Sequence, residues 1–186
     1  GEAVASTAGA TIKKTVLELG GSDPAVILAD ADVAAAAAAC TTSRLLNAGQ
    51  SCIAAKRLIV VDDVRDEFEA RLVERMSQAV VGDPTDPDTT VGPLARADLR
   101  DNLHRQVTES IANGARLLMG GELSDPPGYF YPATLLADVG PGMPAYEEEL
   151  FGPVASIIPV ADQAEALRVA NDTIYGLSAS VYTRNV

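Results

Sequence analysis

The stretch LIVVDDVRDEFEARLVERM, residues 58–76, joins two patterns that decide the fold class. Residues 58–61 form a continuous apolar run of strand length, which is typical of a strand buried on both faces. Apolar side chains then recur at every fourth position, at Val64, Phe68, Leu72 and Met76. This spacing predicts an amphipathic helix over residues 63–81. A buried strand that leads into a helix is the unit from which parallel sheets are built.

Strands and helices alternate on the amino-terminal side of this unit as well. Residues 15–19 and 24–28 read as short strands, and the first of them turns at Gly20 and Gly21. Asp30 or Asp32 can cap a helix that runs through the alanines to about Leu46. The alanine run is explained by close helix packing.

On the carboxyl-terminal side, one helix ends at Asn113 and Gly114, and a second starts with Asp162 and Glu165 as a capping box. The predicted strands here cover residues 115–119, 153–160 and 179–183. Residues 120–146 predict an irregular surface loop system, pinned to the core by Tyr129, Phe130 and Tyr131. The whole pattern predicts an α/β fold with a mainly parallel sheet, and functional sites at the carboxyl ends of its strands.

The composition excludes several classes of protein. The chain has 186 residues, of which 47% are hydrophobic, enough for one domain with a full core. Its net charge of -12 disfavours nucleic acid and anionic membranes as partners. The longest uncharged apolar run is far shorter than a membrane helix, and no leader peptide opens the chain. We therefore expect a soluble, cytoplasmic protein.

The two cysteines, Cys40 and Cys52, form no disulfide framework, and no spacing of Cys and His indicates a metal site. Cys40 lies in the alanine-rich helix and is interpreted as structural. Cys52 belongs to NAGQSCIAAKR, residues 47–57, where it follows a flexible bend and precedes a predicted helical turn. The backbone N–H groups of that turn, with Lys56 and Arg57, would favour a thiolate and stabilise an oxyanion. From the residues alone, a nucleophile and a buried structural cysteine both stay open.

A cysteine nucleophile needs a base, and the sequence offers two candidates. His104 is the single histidine, and its helical neighbours are mostly polar, which predicts a solvated surface position and disfavours a Cys-His hydrolase. Glu18 precedes Gly20-Gly21, where the backbone can turn and expose its carboxylate as a general base. The alternative is that Glu18 simply faces solvent.

Four motifs in register resemble the aldehyde dehydrogenase superfamily, nearest to its succinate-semialdehyde dehydrogenase branch. They are TVLELGGSDP (15–24), NAGQSCIAAKR (47–57), VGDPTDPDTTVGPL (81–94) and YEEELFGPV (146–154). The resemblance extends over the whole chain. It implies the three-layer catalytic domain of that superfamily, with residues 1–19 as a stub of the dinucleotide-binding domain and residues 20–186 as a catalytic domain that is incomplete at its carboxyl end.

The resemblance also implies the roles of four residues and a cofactor, NAD or NADP. Cys52 would attack the aldehyde carbon, and Glu18 would activate the water that hydrolyses the resulting thioester. Glu149 would match the carboxylate that binds the cofactor ribose, and Phe151 the aromatic residue beside the nicotinamide. The substrate would be a small aldehyde, with succinate semialdehyde as one candidate. No metal is implied.

Most of the superfamily's cofactor-binding region has no counterpart here, so the isolated chain is expected to show little or no turnover. A homo-oligomer is expected, because apolar surface would be left where a further domain packs. Two alternatives stay open, namely a non-catalytic assembly or interaction module on the same scaffold, and an esterase that uses only the thioester chemistry. A substrate carboxylate would need an arginine or a hydroxyl donor at the mouth of the pocket, and the sequence leaves open whether Arg44, Arg57 or another arginine supplies it.

Overall fold

Six strands form a single sheet in the computed structural model, which describes residues 1–123 and 128–185. The strands are β1 Pro24–Ile27, β2 Arg57–Val61, β3 Arg116–Met119, β4 Thr134–Ala137, β5 Val154–Val160 and β6 Ser180–Tyr182. Their order across the sheet is β3-β4-β5-β2-β1-β6. Only the β3–β4 pair is antiparallel among these strands. The predicted α/β fold with a mainly parallel sheet is confirmed.

Five of the described helices cover the two faces of the sheet and complete a three-layer architecture. They are α2 Val33–Leu45, α3 Asp62–Met76, α4 Ala97–Ala112, α5 Pro144–Glu147 and α6 Gln163–Asn171, while a further helix, α1 Glu2–Ala10, lies outside these layers. Neighbouring residues of β2 point to opposite faces. Leu58 and Val60 pack with α2 and α3, whereas Ile59 and Val61 pack with α4, α5 and α6. Every residue of β2 is buried, as the continuous apolar run predicted.

Several predicted helix boundaries are confirmed. Asp32 caps α2 by accepting a hydrogen bond from the Ala35 N–H at 3.0 Å. The predicted cap of α6 is also formed: Asp162 accepts from the Glu165 N–H at 2.9 Å, and the Glu165 carboxylate accepts from the N–H of Ala161, the residue before the N-cap, at 2.9 Å. These bonds satisfy amide groups that an α-helix cannot pair within itself.

The strand predicted at residues 15–19 is wrong. This segment is exposed and has no regular secondary structure, and none of the described strands pairs with it. A β-branched pattern is not enough to form a strand without a neighbour to hydrogen-bond with. The preceding helix, α1, was not predicted and buries none of its residues.

The helix predicted to reach residue 81 ends at Met76 instead. The reason lies in the backbone of the next residues. The Val80 carbonyl accepts from the N–H groups of Thr90 and Val91, and Val81 forms a bridge with Val91. Groups used in this pairing are not available to continue a helix.

The prediction of a surface loop system for residues 120–146 is also wrong in part. This segment contains β4, which is fully buried between β3 and β5, and the short helix α5. The strand is only four residues long and follows Pro132, so its signal was weak. Of the three aromatic residues expected to pin the segment, Tyr131 is fully buried, while Tyr129 is exposed. Residues 124–127 lie outside the described part of the chain.

Several apolar side chains are exposed in the segment that follows α1 and in the segment that follows α6. Ile12, Val16 and Ile174 have 95%, 83% and 93% of their surface exposed. The homo-oligomer was predicted because exposed apolar surface of this kind can pack against another chain. The oligomeric state stays a prediction. Among the helices in residues 1–123 and 128–185, none combines the length and the apolar character required to traverse a bilayer.

The α6 cap generates a stability prediction. Asp162→Ala removes the acceptor for the Glu165 N–H, so the free energy of unfolding should fall by about 1 kcal/mol. Urea unfolding of the two proteins measures the difference. Asp66→Ala is the matched control, because Asp66 is exposed within α3 and Ala has the higher helix propensity. Equal midpoints for wild type and Asp162→Ala would contradict the capping interpretation.

Candidate active site

The segments that precede β1, β2 and β5 meet at the amino edge of the sheet. They carry Gly21, Cys52 and Glu149. A Cβ added at Gly21 would lie 2.7 Å from the Cys52 carbonyl oxygen, and the Gly21 N–H donates to Glu149 Oε1 at 3.1 Å. The expectation of a site at the carboxyl ends of the strands is therefore wrong for these residues. Loops that enter parallel strands collect at one edge of a sheet, and this edge holds the predicted residues.

A sharp reversal of the chain brings Cys52 to this edge. The turn Leu46–Gly49 follows α2, and within it Asn47, Ala48 and Gly49 all adopt left-handed backbone conformations, with φ of 54°, 53° and 72°. Gly49 also packs directly against the Gly152 carbonyl, where a Cβ would have no room. Cys52 follows this reversal, lies in a turn and is half-buried.

The helical turn predicted after Cys52 is absent. The N–H groups of Lys56 and Arg57 donate to the Asp23 carbonyl at 3.2 and 3.3 Å, and the Ala55 N–H donates to Ser43 Oγ at 3.0 Å. These contacts draw residues 55–57 into the entry of β2 instead of a helix. The thiol is consequently not at the start of a helix, and the helix dipole invoked for it does not operate.

Lys56 and Arg57 point in different directions, so only one of them serves the Cys52 loop. Lys56 Nζ donates to the carbonyls of Ser51 and Cys52 at 3.1 and 2.9 Å and to that of Ala54 at 3.2 Å. The Arg57 guanidinium instead donates to the last carbonyls of α6, including Ala170 O at 3.3 Å, and stacks over the Tyr146 ring. It caps the negative end of that helix dipole.

Glu18 lies on the exposed segment that leads to Gly20 and Gly21. The segment is anchored three residues later, where Gly21 contacts both the Cys52 carbonyl and the Glu149 carboxylate. Glu18 is therefore only three residues away from Gly21, whose position in the site is held by these contacts, while the Glu18 side chain is exposed to solvent. The role of Glu18 as a base stays a prediction.

Glu149 and Phe151 lie in the loop between α5 and β5. Gln106 holds this loop by donating to the Glu148 carboxylate at 2.8 Å and to the Glu149 carbonyl at 3.0 Å. The Glu149 side chain is 21% exposed and lies 3.9 Å from Lys56 Nζ. Phe151 is half-buried. A partly exposed carboxylate can accept hydrogen bonds from sugar hydroxyls, and a half-buried aromatic ring can lie against a flat ring, so the chemistry of both residues suits the predicted cofactor contacts.

Arg44 and Arg57 are both completely buried, which removes them as candidates for binding a substrate carboxylate from solvent. Arg44 donates to the Gly49 carbonyl and so holds the reversal that precedes Cys52. Burial lowers the pKa of Arg44 to about 9, while the nearby Glu149 carboxylate favours its charged form. Arg44 is thus a structural support of the candidate site.

Two further sequence predictions concern Cys40 and His104. Cys40 is fully buried under the sheet, and burial raises the pKa of its thiol to about 11, which agrees with a structural cysteine. His104 was expected on the solvated surface, but it is half-buried and its Nδ1 lies 3.3 Å from the Tyr131 hydroxyl. The irregular segment before β4 packs Tyr131 against α4 and covers the histidine.

The residue that sequence reasoning undervalued is Lys56. Its side chain is only 1% exposed, and burial lowers its pKa to about 8, with repulsion from Arg44 as the next cause. A signal was present in the sequence, since two cations interrupt an otherwise apolar run, IAAKRLIVV, at the entry of a buried strand. Cations in such a position must find partners, because an unpaired buried charge is costly.

Comparisons with known proteins show the family to which the chain is similar. The sequence model of the "Aldehyde dehydrogenase family" matches residues 1–186. The chain is 49% identical over 185 residues to succinate-semialdehyde dehydrogenase [NADP(+)] 1 of Mycobacterium bovis, covering 100% of this chain and 40% of that protein. It is 49% identical over 183 residues to a succinate semialdehyde dehydrogenase [NAD(P)+] of Escherichia coli, covering 98% and 40%.

Solved structures show the same similarity. The succinic semialdehyde dehydrogenase of Streptococcus pyogenes, in complex with NADP+, superposes with a TM-score of 0.93 at 42% identity. The match covers 100% of this chain and 41% of that one. The chain thus spans about 40% of the length of the curated relatives it matches.

The reversal before Cys52 generates a second prediction. Gly49→Ala should strongly destabilise the fold, since the new Cβ would meet the Gly152 carbonyl and a left-handed φ of 72° disfavours any residue with a side chain. Thermal unfolding measures the effect, expected as a melting temperature several degrees lower. Gly140→Ala is the control, because a Cβ there has nothing within 4 Å. A Gly49→Ala protein as stable as the control would show that the close approach is not enforced.

Proposed function

The chain belongs to the aldehyde dehydrogenase family, and from this premise we propose that the polypeptide carrying it oxidises an aldehyde to a carboxylic acid through Cys52. One observation carries the proposal. A half-buried cysteine, the segment of Glu18 and a partly exposed carboxylate from the β5 loop meet at one edge of the sheet through direct contacts of Gly21. This is the grouping that a nucleophile, a base and a cofactor contact require.

The proposed reaction begins when the Cys52 thiolate attacks the aldehyde carbon. A carbon–sulfur bond forms, the carbonyl electrons move to oxygen, and the product is a thiohemiacetal on Cys52. Bound NAD(P)+ would supply the acceptor for the hydride that must leave this carbon. The oxygen electrons then re-form the carbonyl, and a thioester remains on the sulfur.

Glu18 acts in the second half of the proposed reaction. Its carboxylate accepts a proton from water, and the hydroxide equivalent attacks the thioester carbon. The carbon–sulfur bond breaks, the sulfur electrons return to Cys52, and the carboxylic acid is released. The proposal is supported by the position of Glu18, which is exposed to water and lies three residues before Gly21, the residue that packs against the Cys52 carbonyl.

Two residues of this chain are proposed to hold the cofactor. The Glu149 carboxylate would accept hydrogen bonds from ribose hydroxyls, and Phe151 would lie beside the nicotinamide ring. The support is their position in one loop next to Gly21 and Lys56. NADP+ and NAD(P)+ are named for the relatives, and we propose either NAD or NADP for this protein.

Succinate semialdehyde is our proposed substrate, since two relatives at 49% identity carry that name. Its distal carboxylate would need a cationic or hydroxyl partner. Arg44 and Arg57 are excluded from this role by their burial.

The nucleophile is tested by Cys52→Ala. We expect loss of aldehyde-dependent NAD(P)H formation by at least a thousandfold, since no other group takes over the covalent step. The absorbance of NAD(P)H measures the reaction in the polypeptide that carries this sequence. Cys40→Ala is the matched control and should keep the activity, because Cys40 is buried in α2. Undiminished turnover of Cys52→Ala would refute the covalent mechanism.

The base is tested by Glu18→Gln. This variant should still form one equivalent of NAD(P)H per site in a rapid burst and then turn over at least a hundredfold more slowly than wild type, because only thioester hydrolysis needs the base. Stopped-flow absorbance follows the burst, and intact mass spectrometry detects the acyl adduct. Glu2→Gln, a change at another exposed glutamate, is the control. A burst followed by normal turnover would assign the base elsewhere.

The 186 residues alone are proposed to lack dehydrogenase turnover, since they correspond to only 40% of the length of the matched relatives. Alkylation of Cys52 by iodoacetamide in the isolated chain would still report a reactive thiol. This outcome separates an intact nucleophile with an incomplete cofactor site from a non-catalytic module on the same scaffold.

A further inference from the structure

The ammonium group of Lys56 lies at the centre of the candidate site. It donates to the carbonyl oxygens of Ser51, Cys52 and Ala54 at 3.1, 2.9 and 3.2 Å. All three donor hydrogens of an ammonium group are therefore used on the loop that carries Cys52. The side chain, only 1% exposed, fixes the path of that loop from within the protein.

The same ammonium group reaches the loop that carries the proposed cofactor contact. Glu149 Oε1 lies 3.9 Å from Lys56 Nζ and also accepts from the Gly21 N–H at 3.1 Å. Gly21 in turn packs against the Cys52 carbonyl. Lys56, Glu149, Gly21 and Cys52 thus form a closed set of contacts between three separate segments.

The position is costly for a cation. Burial lowers the pKa of Lys56 to about 8, and the buried Arg44 adds repulsion. Glu149, Asp23 and Cys52 are the facing groups that favour its charged form. A neutral apolar residue at the entry of β2 would avoid the cost of desolvation. The contacts that Lys56 makes therefore explain why a cation occupies this position.

We propose that Lys56 is a positioning residue that links the Cys52 loop to the Glu149 carboxylate, and so keeps the nucleophile and the cofactor contact in a fixed arrangement. Lys56 does not touch the reacting atoms. It acts through the main chain around Cys52 and through Glu149. Its catalytic consequence rests on the function proposed above, whereas the linkage itself does not.

The linkage is tested without any assay of activity. Side-chain NMR of the lysine amines should show Lys56 titrating near pH 8, with Lys13 and Lys14 as exposed references in the same sample. Glu149→Gln should lower the midpoint for Lys56, since the lost carboxylate favours the charged form. An unchanged midpoint would overturn the linkage.

The positioning role is tested by Lys56→Met in the polypeptide that carries this sequence. We expect the KM for NAD(P)+ to rise about tenfold and kcat to fall as well, while Lys14→Met, a change at an exposed lysine, leaves both unchanged. Glu149→Gln should raise KM less in the Lys56→Met variant than in the wild type. The reason is that each of the two changes breaks the same contact, which the first change has already removed. Wild-type constants for Lys56→Met, or additive effects in the double variant, would overturn the role.

Wild-type enzyme provides a measurement that does not depend on the folding of a variant. Its KM for NAD(P)+ should rise as the pH passes the Lys56 midpoint found by NMR, because neutral Lys56 no longer attracts the Glu149 carboxylate. A KM that stays constant across this midpoint would contradict the proposal. Absence of aldehyde oxidation in the wild type, together with the expected NMR result, would refute the proposed function and leave the linkage in place.

Discussion

The pairing of β2 with β1 on one side and β5 on the other is the constraint on which the rest of the structure depends. Both partners run parallel to β2, and each residue from Arg57 to Val61 is buried. A parallel strand that is buried on both faces needs a layer of helices on each face of the sheet. Helices lie there because the chain must pass over a face of the sheet between the end of one parallel strand and the start of the next. The two apolar clusters, with α2 and α3 in one and α4, α5 and α6 in the other, satisfy this need.

The same constraint gathers the candidate site. Cys52, Glu149 and Gly21 lie just before three adjacent strands, so the pairing of those strands brings them together. Hydrogen bonds from Lys56 and Arg44 then fix the loops locally. Long-range strand pairing therefore brings the segments of the site together, and hydrogen bonds from buried cations hold the individual loops.

The sequence predicted the parts of the fold that have strong local signals. The continuous apolar run of β2, the four-residue spacing in α3 and the cap of α6 each have a direct physical cause within a few residues, and the structure contains all three. Two of the failures involve partners distant in the chain. Residues 15–19 have strand character but no strand beside them, and β4 is short but buried between two neighbours.

The same distinction applies to the site. The residues around Cys52 singled it out as a candidate, the family resemblance singled out Glu149, and the structure brings their loops together. The helical turn after Cys52 was wrongly predicted because Asp23 and Ser43 take the amide groups that the turn would have used. The part played by Lys56 depends on where three carbonyl groups point, and local sequence carries no information on that.

Arg57 connects the end of α6 to the central strand by hydrogen bonds to helix carbonyls and by stacking on Tyr146. Helix ends ordinarily fray, and their amide hydrogens exchange with solvent long before the protein unfolds. Here the final turn is hydrogen-bonded to Arg57, the first residue of a strand that is buried along its whole length. Slow solvent exchange should extend from β2 to that turn, so the two behave as one cooperative unit although 112 positions separate Arg57 from Val169.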